Sequence, residues 1–382
     1  MKKFCLAAAF AASLALGCSP AAAQSRLTIG DKAPVLDIEH WLSLGGGLEG
    51  KDPFKKVTNF ADDKVYIVEF WATWCGPCIA SMPHIADLQR EYADRGVQIV
   101  SVTDEELSVV KPFLKKEAAN AQGDEKTYAD ITSHYCLTAD PDQSVYKDYM
   151  EAARQSGIPC AFIVGRGKEV EWIGHPMAMQ PVLDQVLDGS WDRAAFAKQF
   201  NDEQLFEQMQ SELNVAMSRM RNTEDTDAVG KAILPIVRSY EKKITTPEVQ
   251  QQLRGIKLNV LMMAAPKDKE LVPLFREFIT SEEVSPIAKH DLAWKAYEIS
   301  MEQKDFDRGV IEAAAAAMPG ILTQLSKDSQ PVVLDTLAHL QHRLGDTKAA
   351  LKSAEEAYAQ SGEAEEYAAY VGELKKELAA KK

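Results

Sequence analysis

The sequence predicts an α/β domain followed by an all-α domain whose helices form a loose repeat. Three observations lead to this prediction. A run of β-branched and aromatic residues at 65–71 leads into a C-G-P-C motif at 75–78, and helical periodicity follows it. A second apolar run, AFIV at 161–164, comes directly after a proline and a cysteine. From residue 201 to residue 382, amphipathic helical stretches alternate with turn residues.

The N-terminus has the pattern of an export signal. Lys2 and Lys3 precede an apolar run at 4–17, and small residues follow, so we expect a signal peptide of residues 1–23. The apolar run is shorter than the roughly 20 residues that span a bilayer. Lipid attachment at Cys18 is the alternative to cleavage. Either route predicts a mature protein in the periplasm or another extracytoplasmic compartment.

The charge balance argues against one class of partner. The chain has 43 Lys and Arg residues against 57 Asp and Glu residues, which gives a formal net charge of −14. A nucleic-acid binder needs a basic face that neutralises phosphates, and no such cluster stands out in the sequence. The sequence therefore predicts no nucleic-acid partner.

A C-x-x-C motif at the start of a helix is a redox arrangement for physical reasons. Cys75 would lie at the positive end of the helix dipole, where free N–H groups stabilise the thiolate that attacks a disulfide. Cys78, one turn later, is near enough to attack the resulting mixed disulfide and release the product. Pro77 suits the first helical turn, because its missing N–H would have no partner there.

The rest of the first domain supplies further strands and helices. In chain order they are a strand at 97–102, a helix at 107–121, an extended piece at 135–138, a helical segment at 140–156, strands at 161–164 and 169–174, and a closing helix from residue 181 to 187. Strands that alternate with helices predict one sheet with helices packed against it.

The stretch WATWCGPC at 71–78, with Pro83 five residues after it, resembles the active site of thioredoxins. The wider pattern resembles the exported, TlpA-like branch of the thioredoxin and redoxin superfamily. The resemblance implies a thioredoxin fold for residues 24–200. It also implies a redox-active Cys75–Cys78 disulfide, with no other cofactor and no metal. The family positions that contact substrate fall on three further residues: Trp74, Gly76 and Pro77.

The resemblance also assigns a role to Glu69, which lies where thioredoxins more often have a buried aspartate. A carboxylate in an apolar strand is costly to bury. We therefore expect Glu69 to accept the proton of Cys78 during resolution of the mixed disulfide. The alternative is a glutamate at the edge of the strand, where its side chain reaches water.

A second family position falls on Pro159. In the thioredoxin fold a cis-proline faces the C-x-x-C motif across the substrate groove, and the resemblance implies a cis Ile158–Pro159 bond. It also implies that the backbone of Ile158 pairs with a substrate peptide in β fashion. The alternative is an ordinary proline at the start of a strand.

Two further cysteines, Cys136 and Cys160, are expected to be buried and inert thiols. A Cys136–Cys160 disulfide and a supporting role for Cys160 at the active centre are the alternatives. A zinc site would need four ligands, and the sequence has neither a second C-x-x-C nor an H-x-x-x-H motif. We therefore expect no metal site.

Residues 201–382 are predicted to be helical throughout. Two helix pairs within 290–362 faintly resemble tetratricopeptide repeats, although their spacing exceeds the regular repeat of about 34 residues. No catalytic motif is legible in this half. Because arrays of helix pairs present extended grooves, we expect this domain to bind a protein partner.

Together these features predict an extracytoplasmic thiol–disulfide oxidoreductase that acts on protein substrates. The Gly-Pro pair between the cysteines matches the reducing thioredoxins, so we favour a reductase that is re-reduced by a membrane or periplasmic electron donor. The alternative is a redox-inert or weakly active scaffold whose helical domain binds protein partners. A peroxidase is disfavoured, because Val68 and Ala72 stand where the P-x-x-x-T-x-x-C motif needs Pro and Thr.

Overall fold

The computed structural model describes residues 26–381, apart from residues 48, 49, 51, 120–122, 124 and 221–224. The predicted signal peptide at 1–23 and the alternative lipidation site Cys18 therefore lie outside the described residues. The chain divides into two compact units, of which one ends at Ala197 and the other begins at Lys198. Among the described residues, no helix is both long enough and apolar enough to cross a membrane.

The first unit is built on a six-stranded mixed sheet. Its strands are β1 (His40–Leu44), β2 (Val65–Phe70), β3 (Val97–Thr103), β4 (Cys136–Ala139), β5 (Cys160–Val164) and β6 (Val170–Gly174). Its helices are α1 (Gly76–Tyr92), α2 (Leu107–Leu114), α3 (Tyr128–Thr132), α4 (Ser144–Tyr146) and α5 (Met179–Asp188), and a π-helical turn at Lys147–Glu151 continues α4.

The strand order is β1-β4-β3-β2-β5-β6, which places β2 inside the sheet. Strand β2 is parallel to β3 and antiparallel to β5. Strand β4 runs parallel to β3, whereas β1 and β6 are antiparallel edge strands. All six residues of β2 are buried, as its unbroken apolar pattern predicts. The thioredoxin fold predicted from the sequence is confirmed.

Several elements differ from the sequence-based prediction. The short helix α3 is not predicted, and of the predicted helical segment 140–156 only residues 144–151 are helical. Strand β1 is not predicted, because its residues are only half-buried at the sheet edge and lack a continuous apolar pattern. Helix α2 ends at Leu114, although the periodicity predicts helix as far as residue 121. The chain after α2 pairs with a later segment instead: the N–H of Ala118 donates to Lys126, and the N–H of Tyr128 donates to Lys116.

The main core of this unit lies between α1 and one face of the sheet. Ile67, Ile99 and Ile163, from three neighbouring strands, pack in one cluster with Met82 and Ile85 of α1. Truncating a fully buried isoleucine to alanine typically lowers the free energy of unfolding by about 2–5 kcal/mol. The position of α1 is therefore set by the core that it shares with the sheet.

In its described residues the second unit contains helices and turns, which agrees with the predicted all-α domain. The helices that follow α5 are α6 (Arg193–Arg219), α7 (Thr226–Glu241), α8 (Pro247–Ala264), α9 (Leu271–Thr280), α10 (Pro286–Glu302), α11 (Arg308–Gln324), α12 (Gln330–Arg343), α13 (Thr347–Gln360) and α14 (Glu365–Ala380). Helices α12, α13 and α14 share a small core in which Ala338, Ala350 and Ala354 pack with Leu374. The likeness of residues 290–362 to tetratricopeptide repeats stays a prediction.

Candidate active site

Cys75 and Cys78 lie at the junction of β2 and α1. Cys75 is the N-cap of α1, and the backbone N–H of Cys78 lies 3.2 Å from the Cys75 Sγ atom. The two sulfur atoms are joined in a disulfide, so the structure represents the oxidised protein. No acidic residue stands in the first turn of α1, and the positive end of the helix dipole therefore faces Cys75 without compensation.

The residues around the disulfide form an exposed rim. The Trp74 residue is 74% exposed, and Gly76 and Pro77 are exposed as well. Cys75 itself is only 4% exposed. Trp74, Gly76 and Pro77, three of the residues that the resemblance assigns to substrate contact, therefore lie at the surface next to the nearly buried Cys75.

The segment before β5 faces the disulfide from the other side. The Ile158–Pro159 peptide bond is cis, as the resemblance implies, and the alternative of an ordinary trans proline is wrong. The carbonyl oxygen of Ile158 lies 3.7 Å from the Sγ atom of Cys75. The backbone just before β5 and the Cys75 sulfur therefore meet at one place, and in the reduced protein the Cys75 thiol can donate to this carbonyl.

Glu69 lies in the interior of the sheet. It is 1% exposed and lies two residues after Ile67, on the face of β2 that packs against α1. The Ser101 hydroxyl, on the neighbouring strand β3, donates to its Oε2 atom. Its Oε1 atom is buried and has no hydrogen-bond partner in the described part of the chain. The alternative of a strand-edge glutamate that reaches water is therefore wrong.

The surroundings of Glu69 change its proton affinity. Burial raises the pKa of its carboxyl group to about 7, and the hydrogen bond from Ser101 only partly opposes this rise. A carboxyl group with this pKa gains and loses a proton near neutral pH. Such a group can take part in proton transfer on the side of the sheet where α1 carries Cys78.

Two residues at this site are absent from the sequence-based prediction. Ser101 is the hydrogen-bond donor to Glu69, and the signal that could have identified it is a polar residue within an apolar strand, like Glu69 itself. Glu105, which follows β3, accepts hydrogen bonds from Thr73 in the loop before Cys75. The sequence did contain a signal for this contact: a carboxylate directly after β3, the parallel neighbour of the strand that leads to Cys75.

The remaining cysteines of the described region are free and buried. Cys136 lies on β4 and Cys160 on β5, and two strands separate them. At about 4.8 Å per strand, their Cα atoms are roughly 14 Å apart, which is beyond the reach of a disulfide. The alternative of a Cys136–Cys160 bridge is therefore wrong. Burial raises the pKa of the Cys136 thiol to about 11 and that of Cys160 to about 12, so both stay protonated and unreactive at neutral pH.

One group of carboxylates could in principle hold a cation, since ligand oxygens of Glu39, Asp140 and Asp142 lie within 4.8 Å of one another. The carboxylate of Asp140 already accepts hydrogen bonds from the N–H groups of Glu39 and Val145 and from the Ser144 hydroxyl. The oxygens of Asp140 thus already accept hydrogen bonds from the protein, and these bonds stabilise the turn before α4.

Comparison with known proteins finds similarity in the first unit. Residues 29–173 match the model of the AhpC/TSA family. The chain is 26% identical over 168 residues to Protein FixW of Rhizobium leguminosarum, a match that covers 44% of this chain and 69% of FixW. It is 34% identical over 97 residues to the thiol-disulfide oxidoreductase ResA of Bacillus thuringiensis, and here the match covers 24% of this chain and 49% of ResA.

The chain thus spans only about half the length of that ResA protein. Among solved structures, a thiol:disulfide interchange protein of the thioredoxin family from Chlorobium tepidum matches with 20% identity and a TM-score of 0.30, over 41% of this chain and 97% of that chain.

Proposed function

We propose that the protein is an extracytoplasmic thiol–disulfide oxidoreductase that acts as a reductase. The match of residues 29–173 to the model of the AhpC/TSA family and the similarity to the thiol-disulfide oxidoreductase ResA support this proposal. One observation carries the proposal: the Cys75–Cys78 disulfide lies at the start of α1, under an exposed rim and beside the Ile158 carbonyl. The redox group is this pair of cysteines itself.

The proposed reaction transfers two electrons from the protein to a substrate disulfide. The Cys75 thiolate attacks one substrate sulfur, the substrate S–S bond breaks, and the departing sulfur takes up a proton. Cys78 then gives its proton to Glu69 and attacks the Cys75 Sγ atom. The bond between Cys75 and the substrate breaks, the second substrate sulfur leaves, and the protein holds the Cys75–Cys78 disulfide seen in the structure.

The rim supports the binding of an extended substrate segment. Trp74 offers an exposed aromatic surface next to Cys75, and Gly76 and Pro77 add little steric bulk. We propose that the backbone of Ile158, next to Pro159, aligns the substrate so that its disulfide reaches Cys75. The substrates are then proteins that carry an accessible disulfide.

The extracytoplasmic location and the direction of electron flow rest on sequence features. The location rests on the export pattern at residues 1–23. The reductase direction rests on the Gly-Pro pair between the cysteines, and it requires a membrane or periplasmic donor that returns two electrons to the disulfide. We further propose that the helical unit binds a protein partner, because several large apolar side chains, among them Met263, Ile287 and Met301, are exposed there.

The reduction potential of the Cys75/Cys78 pair tests this proposal. The protein that starts at residue 24 would be equilibrated in thiol buffers, alkylated and analysed by mass spectrometry. A value near about −270 mV supports a reductase, whereas a value near about −120 mV makes the protein a disulfide donor and overturns the direction. A Cys75→Ser variant serves as the control and should show no exchange. Thiols that never exchange with the buffer would leave only the scaffold alternative.

A further inference from the structure

The loop between β2 and α1 has a second anchor besides its backbone. The N–H of Trp71 donates to Val102 at the start of the loop, and the N–H of Cys75 donates to Ala72 at its end. Thr73 lies between these two bonds, and among the described residues its N–H has no backbone acceptor. Its partner is a side chain from another part of the chain, 32 residues away.

That partner is the carboxylate of Glu105, which binds Thr73 with both oxygens. The Oε2 atom accepts from the backbone N–H of Thr73 at 2.6 Å, and the Oε1 atom accepts from the Thr73 hydroxyl at 2.7 Å. Thr103, the last residue of β3, adds a longer contact from its hydroxyl at 3.3 Å. Glu105 therefore ties the loop to the end of β3.

We propose that Glu105 is a positioning residue that holds the loop in place so that Cys75 can attack a substrate disulfide. This inference rests on the proposed function. Trp71 and Ala72 at the start of the loop are buried, but Thr73 is only half-buried and Trp74 is mostly exposed, so the middle of the loop has little packing to hold it. Without the two bonds to Glu105, Thr73 and Trp74 are free to move, and the Sγ atom of Cys75 spends less time between the start of α1 and the Ile158 carbonyl. Misplacing a reacting atom by about 1 Å can cost up to 100-fold in rate.

The neighbouring residue Glu106 provides a matched control. It is exposed, and although it is the N-cap residue of α2, its side chain makes no capping hydrogen bond. Glu105 and Glu106 are therefore two glutamates at adjacent positions, and in the described part of the chain Glu105 is the one that accepts hydrogen bonds from Thr73. Removing Glu106 changes the charge near the site without changing the contact.

The test compares the rate at which reduced full-length variants attack a small aromatic disulfide, in a Cys78→Ser background that isolates the first step. We expect Glu105→Ala to slow the attack by roughly tenfold or more, within the range for a misplaced group. Glu105→Gln should restore the rate to within about twofold, because its amide still accepts from the Thr73 N–H and donates to the Thr73 hydroxyl. Glu106→Ala should leave the rate unchanged.

Thr73→Val supplies a second route to the same answer, should Glu105→Ala fail to fold. It removes the hydroxyl bond alone and should slow the attack less than Glu105→Ala does. Because both side chains act through one contact, the double variant should be no slower than Glu105→Ala alone. An unchanged rate in Glu105→Ala, an equal loss in Glu105→Gln, or an additive loss in the double variant would overturn the inference. If the protein with native Thr73 and Glu105 itself never attacks the disulfide, the proposed function fails instead.

Discussion

Each unit of the molecule buries a carboxylate, and the two carboxylates have opposite surroundings. In the α/β unit, Glu69 receives one hydrogen bond, from Ser101, and its Oε1 atom has no partner among the described residues. In the helical unit, the Oδ2 atom of Asp202 accepts from the N–H and hydroxyl groups of both Thr245 and Thr246, at distances of 2.7 to 3.4 Å.

The pKa values follow from these surroundings. Burial raises the pKa of Glu69 to about 7. Burial acts in the same sense on Asp202, but the hydrogen bonds from Thr246 and Thr245 outweigh it, so its pKa lies below the ordinary value. Asp202 therefore stays ionised and fastens the start of α8, whereas Glu69 exchanges a proton near neutral pH. Asp202 therefore stabilises the structure, whereas Glu69 is available for proton transfer.

The largest effect expected from the difference between Glu69 and Asp202 is on a reaction rate. Glu69→Gln removes the proton acceptor proposed for Cys78, so resolution of the mixed disulfide should slow by roughly 100-fold, a common value for the loss of a general base. The initial attack by Cys75 should keep its rate. Quenched-flow analysis of the reduced protein measures how fast the mixed disulfide forms and resolves, and a Cys78→Ser background isolates the initial attack.

The pH profile gives this prediction an internal control. In the native protein the resolution rate should rise with pH and level off above about 7, as Glu69 ionises. The Glu69→Gln variant should lack this rise. Unchanged resolution kinetics in the variant would remove Glu69 from the mechanism and leave its burial without a function.

The second effect concerns stability and has a definite sign. The pKa of Glu69 is raised in the folded protein, so its contribution to stability is complete below about pH 4.5 and is lost as the pH rises to about 7. At 1.36 kcal/mol for each pKa unit, the free energy of unfolding should fall by about 3 kcal/mol over this window. Urea unfolding at pH 5 and pH 8 measures it, and Glu69→Gln should be much less sensitive to pH. An equal pH dependence in the variant would show that other groups cause it.

The third expected effect concerns stability again, this time through Asp202 in the helical unit. Asp202→Ala leaves the buried N–H groups of Thr245 and Thr246 without an acceptor, so the free energy of unfolding should fall by about 1–3 kcal/mol. Asp202→Asn keeps an acceptor oxygen and should lose less. The disulfide-exchange rate should not change in either variant, and a loss of exchange activity would show that the contrast between the two acids is wrong.

The sequence predicts the parts of the first unit that depend on continuous local patterns. Strand β2 and helix α1 follow from an unbroken apolar run and a C-x-x-C motif, and the burial of Glu69 follows from its place in that run. Strand β1 is missed because all of its residues are only half-buried and leave no continuous apolar pattern. The contact of Glu105 with Thr73 is missed because it depends on how two loops, which follow neighbouring parallel strands, meet at one edge of the sheet.

The smallest expected effect tests the proposed role of the helical unit. Met263 and Met301, which are 54% and 61% exposed, line a groove of about 510 Å³ together with Tyr297. Methionine suits a surface that adapts to a protein partner. A Met263→Gln/Met301→Gln double variant should therefore reduce a natural protein substrate a few-fold more slowly, which corresponds to about 1 kcal/mol of binding. Met217→Gln, at another exposed methionine, is the control and should have no effect.

The reduction of a small-molecule disulfide decides what such a loss means. A small disulfide needs only Cys75 and its rim, so the double variant should reduce it at the native rate. If both substrates slow equally, the methionines act through the stability of the protein and not through binding. If the reduction of neither substrate slows, this groove is not the surface on which the helical unit binds a partner. That result would contradict the proposed binding role of the helical unit at this groove.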